Sequence, residues 1–138
     1  MFEAYVAGFL DADGSVSLHR DRKDKPDYMK TPSVEFYNCD KNILEKIQEK
    51  WGGNIKTKTP RKNNHNISYT LTIRENKALE LLISVFPFMM HEKKKTRASL
   101  LIEHYKKCTP RNGKYTIEEI EKKNWLNEQF NSIIMRGV

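Results

Sequence analysis

The sequence predicts an α+β protein in which a four-stranded antiparallel sheet carries helices on one face. Apolar residues recur at helical spacing near both ends of the chain, and between these regions they alternate with polar residues as in half-buried strands. The length of 138 residues is near the usual size of one domain. We therefore expect residues 1–138 to form a single domain.

The first helix is predicted from Phe2 to Leu10, where acidic residues and Gly14 follow. Because this helix has little polar character, it must be largely buried. Small residues recur at every fourth position and form one stripe: Ala4, Gly8 and Ala12. Such a stripe allows a second backbone to approach closely, either within the chain or between two copies.

Two strands are predicted next. Val16 and Leu18 alternate with polar residues in the first, and Val34 and Phe36 do so in the second. The highly charged residues 20–30 between them indicate an exposed hairpin loop. Asp40 then resembles a helix N-cap, and an apolar helical face extends to Trp51, ahead of two glycines.

A second pair of strands is predicted at Asn54–Thr59 and Ile67–Arg74, joined by a polar turn over residues 60–65. The buried face of the later strand would comprise Ile67, Tyr69, Leu71 and Ile73. Helices are predicted at Lys77–Phe86, where Pro87 interrupts, and at Lys95–Lys106. A last helix begins with a capping box at Thr116 and Glu119. Its docking groups would be Ile117, Ile120, Trp125 and Phe130.

The predicted sheet leaves one face uncovered, and its residues are polar, hydrogen-bonding or cationic. They are Ser17, His19, Ser33, Glu35, Tyr37, Lys56, Lys58, Ser68, Thr70, Thr72 and Arg74. A plain solvent-facing surface is one interpretation. Paired strands can also enter the major groove of DNA and present such side chains to base edges, which is the alternative.

Charge favours a polyanionic partner. Twenty-five Lys and Arg residues against 18 Asp and Glu residues give a net charge of +7. The longest apolar stretch, around Leu81 to Met90, is too short to cross a bilayer, and no cleavable signal precedes the first helix. These features predict a soluble, intracellular protein without membrane association. Cys39 and Cys108 lack zinc-ribbon spacing, and the pair His104 and Cys108 would not complete a zinc site.

One motif indicates a family. The nine residues Val6-Ala7-Gly8-Phe9-Leu10-Asp11-Ala12-Asp13-Gly14 resemble the LAGLIDADG motif, with departures only at apolar positions. Weaker similarity extends over residues 36–55 and 87–100, whereas nothing after about Cys108 matches. The chain is thus identified as similar to LAGLIDADG homing endonucleases, whose fold has the order αββαββα.

The resemblance implies a homodimer, because the chain has one motif and two motif helices must pack together. Ala4, Gly8 and Ala12 would lie at that interface. It further implies cleavage of double-stranded DNA at a near-palindromic site. Asp13 matches the metal-binding acid of the family, and the Ala12 carbonyl would be a second oxygen ligand for Mg²⁺, with Mn²⁺ expected to substitute. Asp11 could instead be structural, capping or pairing near the helix end.

Two further catalytic candidates follow from the resemblance. Asp40 occupies the place where the family often has a Gln that organises water, although it could be only the helix cap. Lys94 is the best match to the family's active-site lysine, with Lys93 as the alternative. The family also includes intron RNA maturases and noncatalytic DNA-binding proteins. Intron RNA is therefore an alternative partner, and a chloroplast or mitochondrial location is compatible with the resemblance.

Overall fold

The computed structural model describes residues 1–59 and 67–135. The predicted turn at 60–65 lies outside the described residues. Within the described residues, five α-helices and four strands form the fold. In chain order they are α1 (Phe2–Asp13), β1 (Gly14–His19), β2 (Thr31–Asn38), α2 (Lys41–Trp51), β3 (Asn54–Lys58), β4 (Ser68–Arg74), α3 (Glu75–Val85), α4 (Glu92–His104) and α5 (Ile117–Asn131).

The four strands form one antiparallel sheet in the order β1-β2-β4-β3. Residues that face the helices meet in register: Val16 lies opposite Val34, and Val34 lies opposite Ile73. These side chains are buried in a core that the helices complete. The predicted architecture, a four-stranded sheet with helices on one face, is therefore confirmed.

The ends of three helices can be compared with the sequence analysis. The Asp40 side chain accepts a hydrogen bond from the Asn42 amide, so Asp40 is the N-cap of α2. The Thr116 hydroxyl and the Glu119 carboxylate form the predicted reciprocal capping box of α5. The first helix extends to Asp13 rather than ending at Leu10, so the acidic residues belong to its last turn.

Three predictions of burial or extent are wrong. Ile67 precedes β4 and is exposed, because the strand begins at Ser68. In α5, Ile117 and Trp125 are exposed, whereas the predicted Phe130 is buried as expected and docks together with Leu126, which was not predicted. The fourth helix begins at Glu92 rather than at Lys95, where the His91 imidazole caps it, and a separate 3-10 turn follows it at Lys106–Cys108.

Cys39 and Cys108 are both free cysteines, the first exposed and the second buried. The His104 ring packs edge-to-face on Trp125 with 4.9 Å between ring centroids. The Cys108 thiol donates to the His104 carbonyl. Among the described residues, no helix has both the length and the apolar character needed to cross a membrane.

Candidate active site and nucleic-acid interface

The end of α1 presents an acidic group to solvent. Asp13 and Ala12 are both exposed there, directly before Gly14 begins β1. None of the described residues forms a salt bridge or side-chain hydrogen bond with the Asp13 carboxylate. Asp13 is therefore available to a ligand.

Asp11 has a different environment two residues earlier. Its Oδ2 atom accepts a hydrogen bond from the Met90 amide over 2.7 Å. Its Oδ1 atom is buried and has no hydrogen-bond partner among the described residues. The bond to Met90 ties the last turn of α1 to the segment before α4, so the interpretation of Asp11 as a residue that pairs at the helix end is confirmed.

Lys94 closes the same helix end from α4. Its ammonium donates to the backbone carbonyls of Leu10 over 3.1 Å and Asp11 over 2.7 Å, and the side chain is buried. The Leu10 carbonyl also accepts from the Gly14 amide, whereas the Asp11 carbonyl lies in the last helical turn, where carbonyls lack helical partners, so a lysine is a suitable donor there. Burial lowers the pKa of Lys94, although the nearby carboxylates of Asp11 and Asp13 partly oppose this effect.

The choice between the two lysine candidates depends on this packing. Lys94 lies against the motif helix, whereas Lys93 is only half-buried and makes no such bond among the described residues. Sequence similarity alone left the two open because the lysines are consecutive. Helical rotation of about 100° per residue points the two side chains in different directions.

Asp40 lies beyond the end of β2 that is nearest to the motif. In the register, Gly14 is opposite Phe36, so the last residues of β2 lie beside the end of α1. Asp40 is exposed and one of its carboxylate oxygens accepts from the Asn42 amide. Its amide in turn donates to the Asn38 side chain. The capping interpretation is thus confirmed, and the catalytic role stays a prediction.

The open face of the sheet carries the polar residues that the alternation of side-chain directions along each strand predicts. Strand pairing places Ser17 opposite Ser33, and Ser33 opposite Arg74; it also places Tyr37 opposite Thr70, and Thr70 opposite Lys56. All predicted residues of this face share it: Ser17, His19, Ser33, Glu35, Tyr37, Lys56, Lys58, Ser68, Thr70, Thr72 and Arg74. The face is polar across all four strands.

The same register adds residues that the sequence analysis missed. Ser15 lies opposite Glu35, Asn54 lies opposite Thr72, and Thr31 lies opposite His19. The alternation of side-chain directions along each strand also assigns these residues to the open face, but each is the first or second residue of its strand. Strand ends are the least reliable part of a sequence-based assignment.

Not every residue of the face is accessible. Ser33 is 2% exposed, so its hydroxyl is covered even though it belongs to the open face. Arg74 forms a salt bridge with Asp21 of the hairpin loop, with an Nη1 to Oδ1 distance of 3.4 Å. The Tyr37 hydroxyl donates to Glu35, and burial followed by this hydrogen bond raises the pKa of Tyr37. The phenol therefore remains a donor at neutral pH.

The predicted stripe of small residues lies on the accessible side of α1. Gly8 and Ala12 are exposed and Ala4 is half-buried, whereas Val6, Ala7 and Leu10 face the core. A Cβ atom at Gly8 would meet nothing within 4 Å among the described residues. The absence of a side chain at Gly8 is thus not required for packing among the described residues of this chain.

The acidic groups of one chain do not form a complete metal site. Among the described residues, no group of three or more His, Cys, Asp or Glu side chains could hold a metal ion. The donors at the exposed end of α1, the Asp13 carboxylate and the Ala12 carbonyl, are both oxygens. Hard oxygen donors suit Mg²⁺, so the residues fit the ion as one part of a site that other groups complete.

Most of the sequence also matches a known family. The model of the LAGLIDADG endonuclease family matches residues 6–105. No curated protein matches the sequence.

Solved structures share the fold. The homing endonuclease I-CvuI, in complex with a DNA target in the presence of 2 mM Mg, superposes with a TM-score of 0.70 at 21% identity over 99% of this chain and 83% of that chain. An archaeal intron-encoded homing endonuclease complexed with DNA gives 0.61 at 19% identity, over 99% and 86%. I-GzeII in complex with its DNA target gives 0.62 at 22% identity, over 98% and 50%.

Proposed function

The chain belongs to the LAGLIDADG endonuclease family, and from this premise we propose that it is a site-specific homing endonuclease. It would hydrolyse both strands of a long, near-palindromic double-stranded DNA target with divalent metal ions. The single observation that carries the proposal is the exposed Asp13 carboxylate, unpaired among the described residues, beside a polar sheet face. A protein that only bound DNA would have no need for a carboxylate at that place, because a carboxylate repels phosphate.

The enzyme would act as a homodimer. The exposed stripe of Ala4, Gly8 and Ala12 has the small side chains that two closely packed helices need. The chain matches half the length of I-GzeII, which is consistent with a unit that works in pairs. A two-fold axis along the stripe would bring two Asp13 carboxylates together and make the DNA site symmetric.

Divalent ions, Mg²⁺ with Mn²⁺ as a substitute, would be held by Asp13 and the Ala12 carbonyl of each copy, with DNA phosphates as further ligands. When bound, such ions neutralise charge on the phosphate and lower the pKa of an attacking water. Lys94 would position the acidic helix end through its bonds to Leu10 and Asp11. Asp40 would orient solvent near the end of β2.

DNA would lie along the open face of the sheet. The exposed cations Lys56 and Lys58 on β3 would contact phosphates, whereas accessible polar side chains such as Ser17, Tyr37 and Thr70 would face base edges. His19, Glu35, Ser68, Thr72 and Arg74 would belong to the same surface. The buried hydroxyl of Ser33 would act only through its neighbours.

The test is selection of cleaved sites from a randomised duplex library with Mg²⁺, comparing wild type with Asp13→Asn. We expect one near-palindromic site, cut by wild type alone and bound by both proteins. Asn keeps the shape of the side chain but removes the charge that holds a cation. If wild type cut nothing and both proteins instead retained a duplex or a structured RNA, the assignment would move to a DNA-binding protein or a maturase.

A further inference from the structure

The segment between α4 and α5 concentrates exposed positive charge outside the sheet. Residues 106–114 contain four exposed cations and no acidic residue: Lys106, Lys107, Arg111 and Lys114. Among the described residues, none of these four forms a salt bridge. The segment also lies beyond residue 105, where the family match ends. We call residues 106–114 the basic arm.

The position of the basic arm follows from α4. This helix contacts the end of α1 through Lys94, and three residues later the Arg97 guanidinium donates to the Val16 carbonyl of β1 over 3.1 Å. The helix therefore starts beside the candidate active site and passes along the edge of the sheet. The arm follows the last turn of α4, at the end away from Asp13.

Two contacts place the region after the arm beside the β1–β2 hairpin loop. The Tyr115 ring packs edge-to-face on Tyr28, with 5.0 Å between centroids. The Asn127 amide of α5 donates to the Asp27 carbonyl over 2.9 Å. Because β1 contains six residues, this loop lies roughly 20 Å from the beginning of the strand at about 3.3 Å per residue. That length corresponds to about 6 base pairs of duplex DNA, at about 3.4 Å per base pair.

A buried ammonium group holds the arm in place. Lys123 of α5 is 0% exposed, and its Nζ donates to the Thr109 hydroxyl over 3.3 Å and to the Tyr115 hydroxyl over 3.4 Å. The same group lies over the Tyr105 ring, 4.6 Å from its centroid. These contacts join α5 to residues within and on both sides of the arm. Holding a charged segment in one conformation lowers the entropic cost of binding.

We propose that the basic arm binds phosphates of the DNA duplex at the outer end of each half-site, about 6 base pairs or more from the cleaved bond. This inference rests on the proposed function. Phosphate contacts of this kind carry little sequence information, so the arm would add affinity and salt dependence rather than base preference. It would extend the interface beyond the sheet.

The experiment uses the target obtained by selection, in two lengths. The long duplex extends well beyond the sheet on both sides, and the short duplex ends about 5 base pairs from the cut on each side. Binding is measured against salt concentration, in Ca²⁺ to prevent turnover, for wild type and for the combined variant Lys106→Gln, Lys107→Gln, Arg111→Gln and Lys114→Gln. On the long duplex we expect the variant to bind roughly tenfold or more weakly, and its salt slope to fall by about 0.9 for each phosphate that the arm no longer neutralises.

On the short duplex, wild type and the arm variant should bind equally. The double variant Lys46→Gln with Lys122→Gln removes two exposed charges from α2 and α5 and measures how far binding depends on positive charge outside the arm. The double variant Lys56→Gln with Lys58→Gln should weaken binding to both lengths. Unchanged melting temperatures would show that exposed substitutions leave the fold intact.

The outcomes separate the two proposals. If the Lys56 and Lys58 variant loses affinity while the arm variant binds the long duplex as wild type does, the arm proposal is overturned and the proposed function stands. An equal reduction in affinity on the long and short duplexes would also overturn it. If the arm variant lost affinity for a structured RNA but not for either duplex, the arm would bind RNA, and the proposal would be overturned. If wild type binds neither duplex, both proposals fail.

Discussion

The ammonium of Lys94 donates a hydrogen bond to the backbone carbonyl of Asp11, 2.7 Å away, across 83 residues of sequence. Together with the bond from the Met90 amide to the Asp11 carboxylate, it holds the last turn of α1 against the beginning of α4. Asp13, two residues further on, needs no partner of its own to be held in position. The acidic residue can therefore remain exposed while its backbone is fixed.

Lys94→Met should weaken both folding and cleavage. The substitution leaves the Asp11 carbonyl without its donor, whereas the Leu10 carbonyl keeps its bond from the Gly14 amide, and the loss costs about 1–3 kcal/mol of unfolding free energy. It also allows the end of α1 to shift, so cleavage should fall more than DNA affinity does. Denaturant unfolding and single-turnover cleavage would measure the two effects. Lys93→Met is the matched control and should change neither by a comparable amount; an equal effect of the two substitutions would contradict the assignment.

Gly8→Leu should abolish dimer formation without unfolding the chain. A side chain at Gly8 extends into open space within the monomer, but it would hold two α1 helices apart. Sedimentation should show a monomer whose circular dichroism is that of the wild type. Gly14→Ala is the contrasting case, because a Cβ there would lie 2.9 Å from the Glu35 carbonyl oxygen, and it should destabilise the fold itself. A Gly8→Leu dimer of normal affinity would place the interface elsewhere.

The substitution Asp40→Asn tests whether the Asp40 carboxylate contributes to cleavage in addition to capping α2. Asn is as good an N-cap as Asp, so α2 and the melting temperature should be unaffected. If the carboxylate orients solvent, cleavage should fall by at least about tenfold at saturating Mg²⁺. Asp40→Ala, which also removes the cap, should in addition cost about 1 kcal/mol of stability. Normal cleavage by Asp40→Asn would leave this residue with the capping role alone.

Lys123 should make stability depend on pH. Burial lowers the pKa of its ammonium from 10.5 to about 8, although the nearby Cys108 partly opposes the effect. Below pH 8 both the folded and unfolded chains carry the proton, so the cost of burying the charge is fully present. Between about pH 8 and 10.5 only the unfolded chain retains it, so stability should rise with pH relative to Lys123→Met, by on the order of 3 kcal/mol over the whole window.

Unfolding free energies at pH 7, 8, 9 and 9.5 would measure this difference. The tyrosines around Lys123 are present in both proteins, and burial raises the pKa values of Tyr105 and Tyr115, so they stay protonated in the folded state over this range. Lys122→Met, at an exposed neighbour, is the control and should show no such difference from wild type. Parallel pH profiles of wild type and Lys123→Met would show that Lys123 keeps an ordinary pKa.

Local sequence determined the elements of this protein and the faces of its strands. Alternation placed Val34 and Phe36 inward and Glu35 and Tyr37 outward, because neighbouring side chains of a strand must point to opposite faces. Caps at Asp40 and Thr116 were also predictable, since each involves residues two or three positions apart. The motif from Val6 to Gly14 identified the family and its acidic residue for the same reason.

Only the tertiary structure decided which residues are accessible and which distant residues meet. It packed Lys94 rather than Lys93 against the end of α1, covered Ser33, exposed Trp125 and buried Lys123 beside Tyr105 and Tyr115. None of these outcomes has a local signal, because each depends on how elements separated by tens of residues pack. Sequence periodicity specifies the direction of a side chain relative to its own helix or strand, whereas burial and hydrogen bonding depend on what the fold brings against it.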